Sequence, residues 1–204
     1  MTRYIIVFFI ACFFNMASLQ GQWSFHAYAG GNYNYVGLKD DGNSSALLTP
    51  KGKQIYKPAI GFAGGLISRY NFNNRMALSG ELMYQQMPYS VKIVSGKLYQ
   101  SYGSLLLAPS YKVLSWLSVE GGLGIALNIK DYMAFVNDPV IWTTAGIAVP
   151  FKRFEFKCRY YRFLTAHSKF ELQNSITRSL YMTGIQAGLG FKFWDGTSKQ
   201  HDHH

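Results

Sequence analysis

His167, Ser168 and Glu171 place an imidazole, a hydroxyl and a carboxylate in one short polar stretch, the groups that nucleophilic hydrolysis uses. That chemistry requires contact between the side chains, and in an extended segment His167 and Ser168 point to opposite faces. A histidine among polar loop neighbours is ordinarily solvated, so no catalytic set is expected and the chain reads as a non-enzyme. His201, Asp202, His203 and His204 carry donors suited to a divalent metal. At a polar chain end they read as a frayed tail, and no metal site or cofactor is expected.

A second set of charges sits among apolar residues at strand spacing. Glu155, Lys157 and Arg159 alternate with Phe154, Phe156, Cys158 and Tyr160, and Arg69, Glu81, Lys112, Glu120 and Lys192 occupy equivalent places in other apolar stretches. Charges on the enclosed face of a barrel must pair, because one left alone in a low-dielectric interior costs several kcal/mol. Glu81 and Glu120 are expected to meet Arg69, Lys112, Arg159 or Lys192. The network then acts either as a structural plug or as a path for protons or ions.

The elements that would position these charges alternate throughout. In LYMTGIQAGLGFKF, residues 180–193, one face carries Tyr181, Thr183, Ile185, Ala187, Leu189, Phe191 and Phe193. The other carries Met182, Gly184, Gln186, Gly188, Gly190 and Lys192. A soluble sandwich strand is rarely so long, whereas a membrane-crossing strand shows apolar residues to lipid and small or polar ones to the lumen. An arginine or aspartate at lipid-facing Leu189 is therefore expected to impair insertion more than the same change at inward Gly188.

The same pattern recurs at 23–36, 59–72, 76–87, 99–113, 117–130, 140–151 and 154–163, giving eight strands with 180–193. Between them, polar loops at 37–58, 88–98, 131–139 and 164–178, the second with 90–94 as an alternative prolongation of the strand before it, alternate with short turns at 71–75, 114–116 and 152–153. A lipid-exposed sheet edge would leave backbone groups unpaired in hydrocarbon, so the first strand must pair with the last. The expected fold is all-β, an eight-stranded antiparallel up-and-down transmembrane barrel. Its short turns and both ends would face the periplasm and its long loops the outside.

Composition agrees. Aromatic residues make up 17% of the 204 residues and charged residues only 15%, a balance that suits interfacial girdles more than a soluble surface. Residues 1–21 read as a secretory signal: Arg3 precedes the apolar run YIIVFFIACFF at 4–14, too short to span a bilayer as a helix, and Ala17, Ser18 and Gly21 are small residues near a cut. The barrel then occupies 22–194 and a polar tail 195–204. Cys158 is left without a partner, so no disulfide and no cysteine metal site is expected. Removing Arg3 lowers the formal charge from +10 to +9. With an export signal and scattered charges, that balance points to anionic headgroups rather than nucleic acid. Lys51, Lys53, Lys57, Arg162, Lys169 and Arg178 are the candidates to reach outer-membrane lipid and lipopolysaccharide.

Four stretches resemble the small eight-stranded outer-membrane barrels of Bacteroidota, the porin-family or PorT-like proteins. They are GFAGGLISRYNFNNRMALSGELMYQQ at 61–86, YGSLLLAPSYKVLSWLSVEGGLGIAL at 102–127, AGIAVPFKRFEFKCRYYRFL at 145–164 and GIQAGLGFKF at 184–193. The resemblance implies the barrel and the outer membrane, while the aromatic end of 180–193 resembles the terminal signal read by barrel-insertion machinery, the expected partner during biogenesis. It implies no activity, since the family is functionally mixed. One departure is the tail beyond Trp194, where such chains commonly stop at an aromatic residue. The expected function is non-enzymatic, an envelope-structural or surface-interaction role through the loops. The alternatives are an accessory barrel of a protein secretion machinery, with an envelope protein partner, and a small channel.

Overall fold

The computed structural model describes residues 23–40, 56–91, 97–130, 139–165, 168–172 and 176–196. The signal read at 1–21, the tail from 197 onward, Lys51, Lys53, His167 and the terminal His/Asp cluster lie outside the described residues.

Ten strands form one antiparallel sheet: β1 Trp23–Asp40, β2 Tyr56–Lys57, β3 Ala59–Asn71, β4 Met76–Val91, β5 Lys97–Leu114, β6 Leu117–Lys130, β7 Val140–Phe151, β8 Phe154–Phe163, β9 Ser168–Leu172 and β10 Ile176–Asp195. Neighbours pair in the order β1-β3-β4-β5-β6-β7-β8-β10, and β10 also pairs with β1, closing an eight-stranded barrel. The short β2 and β9 pair only with β4 and β10 at the loop end. The closing ladder runs from Ser24↔Asp195 to Asp40↔Arg178.

Three strands, β6, β7 and β8, have the expected bounds. Others overshoot: β1 continues to Asp40, β4 to Val91, β5 starts at Lys97, and β10 spans Ile176–Asp195. The polar stretch expected as a loop at 164–178 holds β9 and the start of β10. Alternation fades where the wall no longer meets lipid, but the backbone ladder continues for as long as a partner strand offers donors and acceptors.

The short turns are built locally. The Asn73 side-chain Oδ1 accepts the backbone N–H groups of Arg75 and Met76, each at 2.8 Å, and so ends β3 and starts β4. At the β7–β8 turn Lys152 takes φ 55°, which lets two residues reverse the chain.

Faces sort as alternation requires. Ile60, Leu66, Leu82, Leu107, Leu123, Ile129 and Leu189 are exposed on the outer wall, while Asn32, Asn34, Glu81, Gln85, Lys157, Arg159 and Gln186 are buried inside. A wall that exposes its aliphatics and buries its charges is stable only where the surroundings are apolar. Aromatics concentrate at its two ends. At the turn end Phe25 meets Trp194 at 5.2 Å, Tyr70 meets Phe72 at 5.1 Å and Phe154 meets Phe191 at 5.4 Å. At the loop end Tyr33 meets Tyr35 at 4.9 Å and Phe62 meets Tyr84 at 5.6 Å.

Candidate functional site

The lumen is the one place where charge chemistry gathers among the described residues, and β8 is its spine. Its inward row Glu155, Lys157 and Arg159 faces β3, β4 and β6, from which Arg69, Glu81 and Glu120 project. Arg69 grips Glu155 with both terminal nitrogens, at 2.5 and 2.7 Å. Lys157 Nζ lies 2.9 Å from Glu81, 3.1 Å from Glu120 and 3.6 Å from Glu155. Arg159 donates to both Glu81 oxygens, at 2.7 and 3.0 Å, and stands 3.0 Å from Glu120. Each carboxylate is matched by a cation, so the cluster is formally neutral. The fork geometry of arginine on carboxylate offsets the desolvation that burial costs.

The expected pairing is thus realised for Glu81 and Glu120 with Arg159, while Lys157 is the common partner that the sequence reading left unpaired. Arg69 goes to Glu155 instead of Glu81 or Glu120. Neither Lys112 nor Lys192 joins the cluster. Lys192 pairs with Asp195 at 2.5 Å at the turn-end rim, and Lys112 is half-buried at the end of β5. His26, an inward residue of β1, bonds Ser24 at 3.1 Å.

Above the ions, towards the loop end, the lumen changes character. Met87, Tyr102, Leu106, Trp142, Tyr161, Phe163 and Met182 pack together and are almost wholly buried. Tyr102 and Phe163 meet edge-on at 5.6 Å, and Trp142 meets Tyr161 edge-on at 6.4 Å. Tyr161 donates its hydroxyl to Asn34, whose own amide reaches Asn32 at 2.8 Å. Gly124 makes room for this layer: a Cβ there would stand 2.7 Å from Trp142 Nε1. Alternation places Met182 inward, and Trp142 and Tyr161 share the inner parity of their strands, but it does not announce an apolar layer. The signal was present in the matching parity of Leu106, Tyr102 and Phe163.

Among the candidates for lipid contact, Lys57 is exposed in β2 and Arg162 is exposed on the outer wall of β8. Arg162 lies between Thr143 and Thr183 on the paired strands, one outward position above Tyr160. Lys169 and Arg178 fall in β9 and β10, as Ser168 and Glu171 fall in β9.

No protein-family model and no curated protein sequence matches the chain. Among solved structures it is similar to the outer membrane protein OprG from Pseudomonas aeruginosa, at 12% identity over 85% of this chain and 97% of that one, with a TM-score of 0.46. It is similar to the outer membrane protein AlkL in lipid bilayers at 16% identity, over 85% and 90% of the two chains, with a TM-score of 0.49. Ail, the attachment invasion locus protein of Yersinia pestis, solved with the heparin analogue sucrose octasulfate, matches at 18% identity over 86% and 100%, with a TM-score of 0.43. The barrel assignment itself rests on this chain's own closed ladder.

Proposed function

We propose that this chain is an integral outer-membrane barrel that serves as a closed, non-enzymatic element of the cell envelope, with its loop end as the interaction surface. The observation that carries this reading is the filling of the lumen. A neutral ion-pair cluster occupies the turn-end half and a packed aromatic layer lies above it, so side chains take the space a channel needs. The apolar outer wall and the secretory signal read in the sequence support the outer membrane as its site. Short turns then face the periplasm and long loops face outside.

The loop end supports an interaction role. There β1, β10 and β9 stay paired beyond the last barrel-wide rungs, as Asp40↔Arg178 and Ser179↔Lys169 show, and extend the sheet. Arg162 and Lys57 at this end, together with the sequence candidates Lys51, Lys53, Lys169 and Arg178, are the groups proposed to meet phosphorylated outer-leaflet lipid. The accessory-barrel reading, PorT-like in kind, draws on the same strand extension as a protein-docking feature.

Planar-bilayer recording of the purified barrel tests the closed lumen: the expected trace lacks stable openings, and a large steady conductance overturns the reading. In-cell cross-linking with mass spectrometry then separates a free barrel from a machine component. Repeated links from the loop end to one envelope protein would assign the accessory role.

A further inference from the structure

Among the described residues the ions of the lumen cancel, so their excess positive charge lies outside the lumen, and the turn end is unexpectedly basic. Arg75 tips the β3–β4 turn, and Lys152 and Arg153 form the β7–β8 turn; all three are exposed. Backbone bonds bring a further cation beside each turn: Lys112 N–H donates to the Arg75 carbonyl and Lys192 N–H to the Arg153 carbonyl, both at 2.7 Å. Asp195 is the acidic residue at this end among the described residues, and it is held by Lys192. Glu81, Glu120 and Glu155 are committed to the lumen cluster.

These cations border the aromatic girdle directly. Lys152 and Arg153 lie between Phe151 and Phe154, both exposed on the outer wall, and Lys152 Nζ sits 5.7 Å from the centre of the Phe151 ring. Arg75 directly precedes exposed Met76 and shares its turn with exposed Phe72, three residues earlier. Aromatic rings of a girdle lie at headgroup depth, so charges one residue away reach the phosphate layer.

We infer that the turn-end rim, centred on Arg75, Lys152 and Arg153, is a binding surface for anionic phospholipid headgroups of the leaflet on that side. The inference rests on the outer-membrane reading and assigns to the periplasmic leaflet a contact that the sequence reading placed only at the loop end. Charge complementarity and continuity with the girdle select a lipid over a soluble partner. Both turns can engage headgroups together, and the attraction is screened by salt.

The test uses the purified barrel in nanodiscs of phosphatidylcholine alone and of equal parts phosphatidylcholine and phosphatidylglycerol, with the unfolding temperature read in low and high salt. Phosphatidylglycerol is expected to raise that temperature for the parent chain, and salt to shrink the rise. The triple variant Arg75→Gln, Lys152→Asn, Arg153→Gln should lose most of the rise yet unfold normally in phosphatidylcholine; Asn is chosen because it tolerates the positive φ of Lys152. The charge-conserving variant Arg75→Lys, Lys152→Arg, Arg153→Lys should keep it. An unchanged rise in the triple variant, or its loss in the charge-conserving one, overturns the inference. So does an equal rise produced by soluble polyglutamate in phosphatidylcholine discs, which would assign the rim to an acidic polypeptide. A chain that inserts into neither lipid overturns the outer-membrane reading, and the inference with it.

Discussion

Lys157 Nζ lies 2.9 Å from Glu81 Oε1, tying β8 to β4 across the lumen between residues 76 positions apart in the chain. The two strands are not neighbours in the sheet, so this contact fixes the barrel's cross-section rather than a ladder. It also leaves Lys157 as the cation that lets Glu81 and Glu120 share one buried space with Arg159.

Replacing Lys157 by Met should therefore destabilise the barrel by about 3–5 kcal/mol, the usual cost of leaving a buried charge unmatched. Adding Glu120→Gln restores neutrality, and the double variant should be less destabilised than the sum of the two single changes. Urea unfolding in lipid vesicles, followed by the gel-mobility shift between folded and unfolded barrel, measures both. Strict additivity would mean that the two groups do not share a network.

Gly188 and Gly190 both face the lumen from β10, but only one of them is crowded. A Cβ at Gly188 would stand 2.6 Å from both the Gly30 Cα and the Tyr28 hydroxyl and would strike the Ala29 carbonyl, whereas at Gly190 the nearest atom is 3.7 Å away. Gly188→Ala should cost about 1–3 kcal/mol, the range of an overpacked core. Gly190→Ala should be neutral or slightly stabilising, since alanine restricts the unfolded chain more than glycine does. Equal losses in the unfolding assay would show that the β1–β10 approach is not close.

The same crowding corrects the comparison drawn from alternation. Gly188 is inward as expected, yet a substitution there fails by collision, so it is no neutral reference for a charge at Leu189. Parity told which residues face in, because a strand's period does not depend on its partners. It did not tell that Lys157 would bridge two carboxylates, since that depends on the stagger with which β8 comes to face β4 and β6. Nor did parity predict where β1 and β10 stop: their ladder to Asp40↔Arg178 persists after the outward apolar pattern has ended. The aromatic layer of Tyr102, Trp142 and Phe163 was hidden by a different cause, the expectation that a barrel's inner face is polar.

Depth along the outer wall supplies a cleaner test of the membrane frame. Leu189 is 55% exposed between Phe191 and Ile185 on the outer face of β10, well inside the girdles, while Ile129 is 61% exposed near the loop end of β6. An arginine at Leu189 should cost about 2–4 kcal/mol and one at Ile129 about 0–1, following the depth dependence of charges on lipid-facing walls. Arg162, already outward at the loop end of β8, belongs to the second class, so Arg162→Leu should change stability by no more than about 1 kcal/mol in zwitterionic vesicles. Unfolding free energies of the three variants in phosphatidylcholine decide it. A cost at Ile129 matching that at Leu189 would place the loop end of β6 deep in hydrocarbon and shift the bilayer frame along the barrel.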